Sequence, residues 1–127
     1  KLQVTGRAYC SGNNTVGGTA LIKQAAPTAK STTATLTIAE LLTKIITASG
    51  TSYTLTLPTG TLTDAGIVMS ADYAFEWSII STDSGTVTLG AGIDHTIVGT
   101  ATVLAGISAR FSTRKTAADT FVTYRIA

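Results

Sequence analysis

The single histidine of the chain, His95, is the first residue to test for chemistry, because an acidic residue, Asp94, precedes it. A histidine can activate a serine or threonine nucleophile when a third group orients the imidazole. The chain has many hydroxyl side chains, and no spacing selects one of them as the nucleophile. The run Gly92-Ile93-Asp94-His95 is typical of a turn between strands. We therefore predict that His95 is a turn residue with neither a catalytic nor a metal-binding role.

Other residue types that active sites and cofactor sites require are spread thinly along the chain. The acidic residues show no spacing that favours a glycosidase-like pair. Gly17-Gly18 lacks the pattern of a phosphate-binding loop. One cysteine, Cys10, allows no disulfide within the chain and no CxxC site. The sequence therefore predicts no enzyme, no catalytic residue, no cofactor and no metal ion. A hydrolase with a dispersed active site is the weakest alternative.

Basic residues gather near the C-terminus and are candidate contacts to a partner: Arg110, Arg114, Lys115 and Arg125. Strand alternation predicts that Arg110 and Arg125 lie together on an outward face. Such a pair suits an acidic partner surface or a salt bridge between subunits, and an ordinary solvated patch is the alternative. In the N-terminal segment, Arg7 and Tyr9 are two further candidate contacts.

Charge and hydropathy exclude other classes of partner. The net charge of +2 is too small for the basic stripe of a dedicated nucleic-acid-binding protein. Only Phe121 places an aromatic ring beside the C-terminal basic residues, which disfavours single-strand binding by base stacking. No apolar run approaches the roughly 18 residues of a membrane span, and no signal-peptide pattern is present. We expect neither a nucleic acid nor a membrane as partner.

Threonine is the most common residue, and charge is scarce. Charged residues make up 13% of the chain, against about 25% in an ordinary soluble domain. Threonine and serine alternate with apolar residues, as in Thr51-Ser52-Tyr53-Thr54-Leu55-Thr56-Leu57. The branched Cβ of threonine packs well on a pleated strand. The 127 residues suit one domain, and their composition predicts a structural β-protein with a hydroxyl-rich surface.

One amphipathic helix is predicted over about residues 37–48. Thr37-Ile38-Ala39-Glu40 fits a capping box, in which the Thr37 and Glu40 side chains bond each other's backbone N–H. Apolar residues then recur at helical spacing, and Gly50 is well placed to end the helix. We expect the apolar side chains of this face to be buried: Ile38, Leu41, Leu42, Ile45 and Ile46.

After the helix the chain is predicted to be all β, with about six or seven short strands. The strongest strand spans residues 74–80, with Phe75, Trp77 and Ile79 on one face and Glu76 and Ser78 on the other. Residues 107–113 and 120–126 form the closing pair, and residues 61–70 are a loop or a short helical turn. Strands at this spacing predict an antiparallel sandwich or barrel, jelly-roll-like in arrangement.

The first 34 residues differ from the rest, and we predict an extended N-terminal arm and linker over residues 1–34, followed by a β-rich domain over 35–127. Pro27 and the Ala, Thr, Lys and Ser residues around it oppose regular structure. An ordinary pair of strands within the same domain is the alternative.

Several segments resemble small phage virion proteins that decorate or cement capsids, and related head-fibre domains. They are Leu36-Thr37-Ile38-Ala39-Glu40-Leu41-Leu42, Tyr53-Thr54-Leu55-Thr56-Leu57-Pro58-Thr59-Gly60, Phe75-Glu76-Trp77-Ser78-Ile79-Ile80, Ser108-Ala109-Arg110-Phe111-Ser112-Thr113-Arg114-Lys115-Thr116 and Tyr124-Arg125-Ile126. The resemblance implies a virion component, often a trimer, that lies over joints between major capsid subunits. It implies no catalytic residues. The first 34 residues fall outside it.

The leading hypothesis is therefore a homotrimeric cement protein on the outer surface of a phage capsid, with the major capsid protein as partner. The arm is the candidate for reaching across a subunit boundary. The alternative is a fibre or spike module that binds a host receptor or a glycan. Sugar sites use exposed aromatic rings, for which Tyr9, Tyr73 and Trp77 are candidates, although Trp77 is expected in the core.

Overall fold

The computed structural model of the protein describes residues 3–6, 12, 17–19 and 21–127. Within them lie two short helices, α1 (Ile38–Leu41) and α2 (Gly60–Gly66). The strands, in chain order, are β1 (Thr28–Lys30), β2 (Ala34–Thr35), β3 (Ile45–Ala48), β4 (Tyr53–Thr56), β5 (Ala74–Ser81), β6 (Val87–Gly90), β7 (His95–Val98), β8 (Thr102–Val103), β9 (Ser108–Ala117) and β10 (Thr120–Arg125).

The strands form two sheets, which confirms the mainly β prediction and is consistent with a sandwich. The larger sheet has the order β1-β3-β5-β9-β10-β7, and the smaller has the order β2-β4-β6-β8. From β1 to β8, successive strands belong alternately to the two sheets. Neighbouring strands are therefore two strands apart in sequence along β1-β3-β5 and β2-β4-β6-β8. Consequently β1, β3 and β5 run parallel to one another, as do β2, β4 and β6.

The predicted antiparallel, jelly-roll-like arrangement is thus corrected to mixed sheets. Antiparallel pairing is found for β5 with β9, for β9 with β10 and for β6 with β8. The hairpin of β9 and β10 lies inside the larger sheet, because β9 pairs with β5 and β10 pairs with β7. Alternation of polar and apolar residues identifies a strand, but it does not indicate which strand pairs with it or in which direction. The parallel pairing could therefore not be predicted from this pattern.

The core lies between the sheets and contains the apolar residues that alternate along the strands. Trp77 and Ile79 are buried and Phe75 is half-buried, which confirms the predicted inner face of β5. The Trp77 and Phe111 rings stack with their centroids 4.8 Å apart. Thr113 and Thr123 are also fully buried, and these two were not predicted as core residues.

The predicted helix over 37–48 is four residues long. The capping box is present, since the Glu40 N–H donates to Thr37 Oγ1 over 3.2 Å and the Thr37 N–H donates to Glu40 Oε2 over 2.9 Å. The chain turns after Leu41, and Lys44 has a φ of 68°. A positive φ of this kind is incompatible with a continuing right-handed helix.

The second half of the predicted helix is strand β3. Its pattern has Ile46 and Ala48 buried and their neighbours half-buried, which is the two-residue period of a strand. The β-branched residues Ile45, Ile46 and Thr47 favour this conformation. Leu42, expected to be buried, lies in the turn and is 39% exposed.

Helix α2 occupies the region predicted as a loop or a short helical turn. Thr59 caps it, with Oγ1 accepting the Leu62 N–H over 3.2 Å. Its two terminal glycines permit close packing. A Cβ on Gly60 would lie 1.6 Å from the carbonyl oxygen of Asp119, and one on Gly66 would lie 1.9 Å from the Ile38 Cγ2 atom. Among the described residues, no helix is long and apolar enough to span a membrane.

The segment before the domain is shorter than predicted. Strand β1 and the first residue of β2 fall inside residues 1–34, and these strands pair with β3 and β4, so the linker does not extend to residue 34. Residues 21–27, called the exposed arm below, have no regular secondary structure and are solvent-exposed throughout. The Gln24 side chain attaches this arm to the domain by donating to the Thr43 carbonyl over 2.5 Å.

Candidate functional site

His95 is the residue with the most evident chemical potential, and its position differs from the predicted turn. Asp94 occupies the turn, with a φ of 58°, whereas His95 begins β7 and is 5% exposed. The imidazole Nε2 lies 2.7 Å from Thr123 Oγ1, and Nδ1 lies 3.3 Å from the Pro58 carbonyl oxygen. The histidine therefore belongs to the interior.

Two further contacts extend this arrangement into a buried hydrogen-bond chain of Trp77, Thr113, Thr123, His95 and Pro58. Thr113 Oγ1 lies 2.8 Å from Thr123 Oγ1, and Trp77 Nε1 donates to Thr113 Oγ1 over 2.9 Å. The indole can only donate and the Pro58 carbonyl can only accept.

The two ends of the chain fix the direction of each bond. Because Nδ1 donates to Pro58, a neutral His95 accepts at Nε2 from the Thr123 hydroxyl. Thr123 in turn accepts from Thr113, which accepts from Trp77. Every member then has a partner, in agreement with the rule that buried polar groups are hydrogen-bonded. Burial lowers the pKa of His95, although the hydrogen bond to Pro58 opposes this effect, so the neutral form is favoured.

The Thr123–His95 contact resembles a hydroxyl activated by a base, but its surroundings do not suit catalysis. Thr113 and Thr123 are fully buried, and Thr123 donates its proton within the buried hydrogen-bond chain. A nucleophile must reach a substrate, which this hydroxyl cannot do in the folded protein. Throughout the described ranges there is no cluster of three or more potential metal ligands. The buried chain is best explained as a structural network.

The charged candidates fall into two groups, and the first lies on the surface. Arg110 pairs with Glu76, and Arg114 pairs with Asp72; in both pairs the two side chains are at least two-fifths exposed. Hydrogen bonds to Tyr124 and to Asp72 raise the pKa of Arg114. Both arginines lie on the outer face of the larger sheet, where a partner could reach them.

The second group, Lys115 and Arg125, connects elements of the fold to one another. The Lys115 side chain is 13% exposed and bonds Asp64, which also accepts the Asp119 N–H over 3.1 Å. Lys115 thereby joins α2 to the end of the β9–β10 hairpin. Arg125 donates to the carbonyl oxygens of Thr100 and Thr102, over 3.3 and 2.5 Å, and so connects β10 to the smaller sheet.

The prediction that Arg110 and Arg125 share an outward face is wrong. Arg125 lies opposite Phe111, a buried residue, and therefore on the inner side of the sheet. Arg110 lies on the other side, beside Glu76. The error follows from β10, where Phe121 and Thr123 face the core. The sequence had equal apolar character on both faces of this strand, because Val122 and Tyr124 alternate with them.

A shallow groove of about 420 Å³ lies beside Arg110. Its walls include Leu42 and Ile45 from the α1–β3 connection, together with Phe75 and Glu76 from β5. The groove forms because β3 begins opposite Ser78, so that the first residues of β5 extend past it. Its lining also includes Trp77 and the polar residues Lys44, Ser78 and Arg110, the last of which pairs with Glu76.

The exposed arm presents two adjacent, highly accessible aliphatic side chains. Leu21 is 92% exposed, and its neighbour Ile22 is 74% exposed. The candidate contacts Arg7 and Tyr9 lie outside the described residues. The sequence predicted an arm but not the exposure of this apolar pair. The signal that could have indicated it is two adjacent aliphatic residues ahead of a stretch that contains Ala and Pro.

Comparison with protein-family models, with curated proteins and with solved structures finds no match for this chain.

Proposed function

We propose that this protein is a structural virion component that binds the outer surface of a phage capsid. It stabilises the shell by bridging major capsid subunits, and it acts as a homotrimer. The observation that carries this proposal is the exposed arm, in which an adjacent aliphatic pair is exposed to solvent. The resemblance of several segments to capsid cement proteins supplies the identity of the partner.

The apolar side chains of the exposed arm could supply binding free energy if a partner covered them. Fully burying one leucine or isoleucine side chain contributes about 1.5–3 kcal/mol. Covering Leu21 and Ile22 under a neighbouring subunit would therefore stabilise the contact of each copy by a few kcal/mol. In a trimer, three such arms act together, and linked contacts raise the overall affinity well above that of one arm. Modest individual contacts are then sufficient for a durable decoration.

Charged contacts would supplement the arm on the outer face of the larger sheet. Arg110 and Arg114 are exposed there, each beside a carboxylate that a partner could exchange for its own. Lys115 and Arg125 are engaged inside the fold, so we assign them a supporting role. Exposed ion pairs contribute about 0–1 kcal/mol each. We therefore expect these charges to contribute less to binding than the apolar side chains of the exposed arm.

A binding experiment with capsid shells tests the function. Shells stripped of this protein would be incubated with the wild-type chain and with the double variant Leu21→Ser/Ile22→Ser, and occupancy measured by electron microscopy. We expect at least a tenfold weaker binding for the double variant, because the apolar burial is lost. Val68→Ser, at a residue that is 75% exposed elsewhere on the domain, is the matched control and should bind normally. Equal occupancy for all three proteins would refute a docking role for the arm.

One observation favours a second candidate, a fibre or spike module that binds a glycan. Tyr73 is 58% exposed and could stack on a sugar ring, whereas Trp77 is buried and unavailable. A glycan array would decide between the two functions. Specific binding that disappears in Tyr73→Ala would favour the spike module, and uniform absence of binding would favour the capsid role.

A further inference from the structure

His95 joins the two sheets at one edge of the molecule. It belongs to β7, an edge strand of the larger sheet, whose pairing partner among the described strands is β10. Its Nδ1 contacts Pro58, which follows β4 of the smaller sheet. Through Thr123, the same imidazole is tied to the interior of the larger sheet. One side chain thus connects an edge strand, the adjacent strand and the opposite layer.

The buried hydrogen-bond chain accommodates one protonation state. A protonated imidazole donates from both nitrogens, so Nε2 could no longer accept the Thr123 hydroxyl. Thr123 would then accept from Nε2. It could also accept from Thr113, which leaves its own proton without an acceptor in the chain, or donate to Thr113, which leaves the Thr113 proton without one. Protonation would therefore leave both a buried charge and an unsatisfied buried donor, each of which is unfavourable.

No nearby group in the described residues offsets that charge. The charged residues on the elements packed around His95 are Asp94 on its own turn, Asp119 on the β9–β10 turn, Asp64 on α2, Arg110, Arg114 and Lys115 on β9, and Arg125 on β10. Arg110 and Arg114 lie on the outer face of β9 and pair with Glu76 and Asp72. Lys115 is paired with Asp64, and Arg125 bonds backbone carbonyls. The two ring nitrogens contact Thr123 and Pro58, both uncharged partners.

We propose that His95 is an acid-sensitive latch: its neutral imidazole holds β7 against Pro58 and Thr123, and its protonation releases this edge of the sandwich. The proposal concerns the domain itself and does not depend on the capsid role. It assigns a conformational device to a residue that the proposed function leaves unused.

The direction of the pH effect follows from the environment of the imidazole. Burial holds the pKa of His95 below that of an exposed histidine, which is about 6.5. Above that pH the closed and open forms are both neutral, and the latch has its full strength. As the pH falls through this value, the open form gains a proton first, so opening becomes more favourable. The change approaches about tenfold per pH unit until the closed form also titrates.

Hydrogen exchange on the full chain tests the latch. Amide exchange, corrected for intrinsic rates, would be measured at pH 7 and pH 5. We expect the opening equilibrium of β7 and of its contacts on β10 to rise about tenfold or more between the two conditions. The Ser78 amide, which donates to the Lys44 carbonyl over 2.8 Å in the interior of the larger sheet, should change less. Equal protection of β7 at both pH values would overturn the proposal.

His95→Gln provides the matched variant. A glutamine can donate to Pro58 and accept from Thr123 without titrating, so the acid sensitivity of β7 should disappear. Acid sensitivity that persists in this variant would contradict the latch. If the variant fails to fold, NMR titration of the imidazole in the wild-type protein gives the answer. A pKa below that of an exposed histidine supports the latch, and an ordinary or raised pKa contradicts it.

Discussion

At the residue scale, threonine hydroxyl groups supply buried hydrogen-bond partners, a role that charged side chains have in many proteins. Thr113 and Thr123 face each other across the β9–β10 hairpin and satisfy Trp77 and His95 inside the core. A threonine packs its methyl group among apolar neighbours and also supplies one donor and two acceptor positions. Neutral groups of this kind incur a smaller desolvation penalty than buried charges. The high threonine content therefore serves the interior as well as the surface.

Removing the hydroxyl of Thr123 tests the importance of the buried hydrogen-bond chain. Thr123→Val preserves the shape of the side chain but leaves His95 Nε2 and the Thr113 hydroxyl without their partner. We expect a loss of about 1–3 kcal/mol in the free energy of unfolding, the cost of an unsatisfied buried group. Urea denaturation measures it. Thr96→Val, on the exposed side of β7, is the control and should change stability by less than about 0.5 kcal/mol.

Sequence reasoning could identify Trp77 as a core residue but not its hydrogen-bond partners. The alternation of Phe75, Trp77 and Ile79 with polar residues predicted the inner face of β5 correctly. The burial of Thr113, Thr123 and His95 depends on which strands are neighbours, and this is decided by contacts distant in sequence. A threonine in a strand carries the same local signal whether it faces water or the core.

At the element scale, the connection from α1 to β3 shows how a short apolar run can be misread. Ile38, Leu41, Leu42, Ile45 and Ile46 satisfy helical spacing, yet α1 ends at Leu41. The last two positions are buried or half-buried in a strand instead. Pairing with β1 on one side and β5 on the other supplies more hydrogen bonds and apolar contacts than three further helical residues could. Tertiary context overrides the helical pattern here.

Two adjacent leucines provide a direct test of whether α1 ends at Leu41. Leu41 is fully buried, so Leu41→Ala should destabilise the protein by about 2–5 kcal/mol. Leu42 lies in the turn and is 39% exposed, so Leu42→Ala should cost less than about 1.5 kcal/mol, well below the usual core value. Thermal or urea unfolding of the two variants measures the difference. Similar losses for both would indicate that the helix continues past Leu41.

Helix α2 depends on glycine at its first position. Because a Cβ on Gly60 would overlap the Asp119 carbonyl, Gly60→Ala must separate α2 from the β9–β10 turn. We expect a loss of about 1–3 kcal/mol, the usual effect of overpacking, measured by urea denaturation. Gly17→Ala is the control, since a Cβ at Gly17 would meet no atom within 4 Å. A neutral Gly60→Ala variant would show that the turn can move away without cost.

At the scale of the whole molecule, the internal pairing of three basic candidates predicts how association should respond to salt. The basic candidates Arg110, Arg114 and Lys115 are each paired with a carboxylate of the same chain. Binding through the exposed arm would be apolar, and apolar burial is not screened by ions. Raising the salt concentration from 0.1 to 1 M should leave capsid occupancy unchanged or higher. A strong decrease in occupancy would instead assign the contact to the arginines.

The oligomeric state can be predicted and measured separately from capsid binding. We expect a homotrimer, with a solution mass three times the chain mass of 13.0 kDa, by sedimentation or light scattering. Leu21→Ser/Ile22→Ser should leave this mass unchanged if the arms contact the shell, and should lower it if they contact sister subunits. A monomer for the wild-type protein would remove the avidity on which the proposal relies.

The placement of the C-terminal hairpin has a consequence for biosynthesis. Strands β9 and β10 are translated after the other described strands, yet they occupy the middle of the larger sheet, between β5 and β7. Until the ribosome has released them, β7 has no neighbour in its sheet and β5 presents an open side. Because the remaining contacts are non-local, closure should be slow on the scale of local folding events. The larger sheet therefore stays incomplete until β9 and β10 have left the ribosome, and removal of β10 should yield aggregation-prone material.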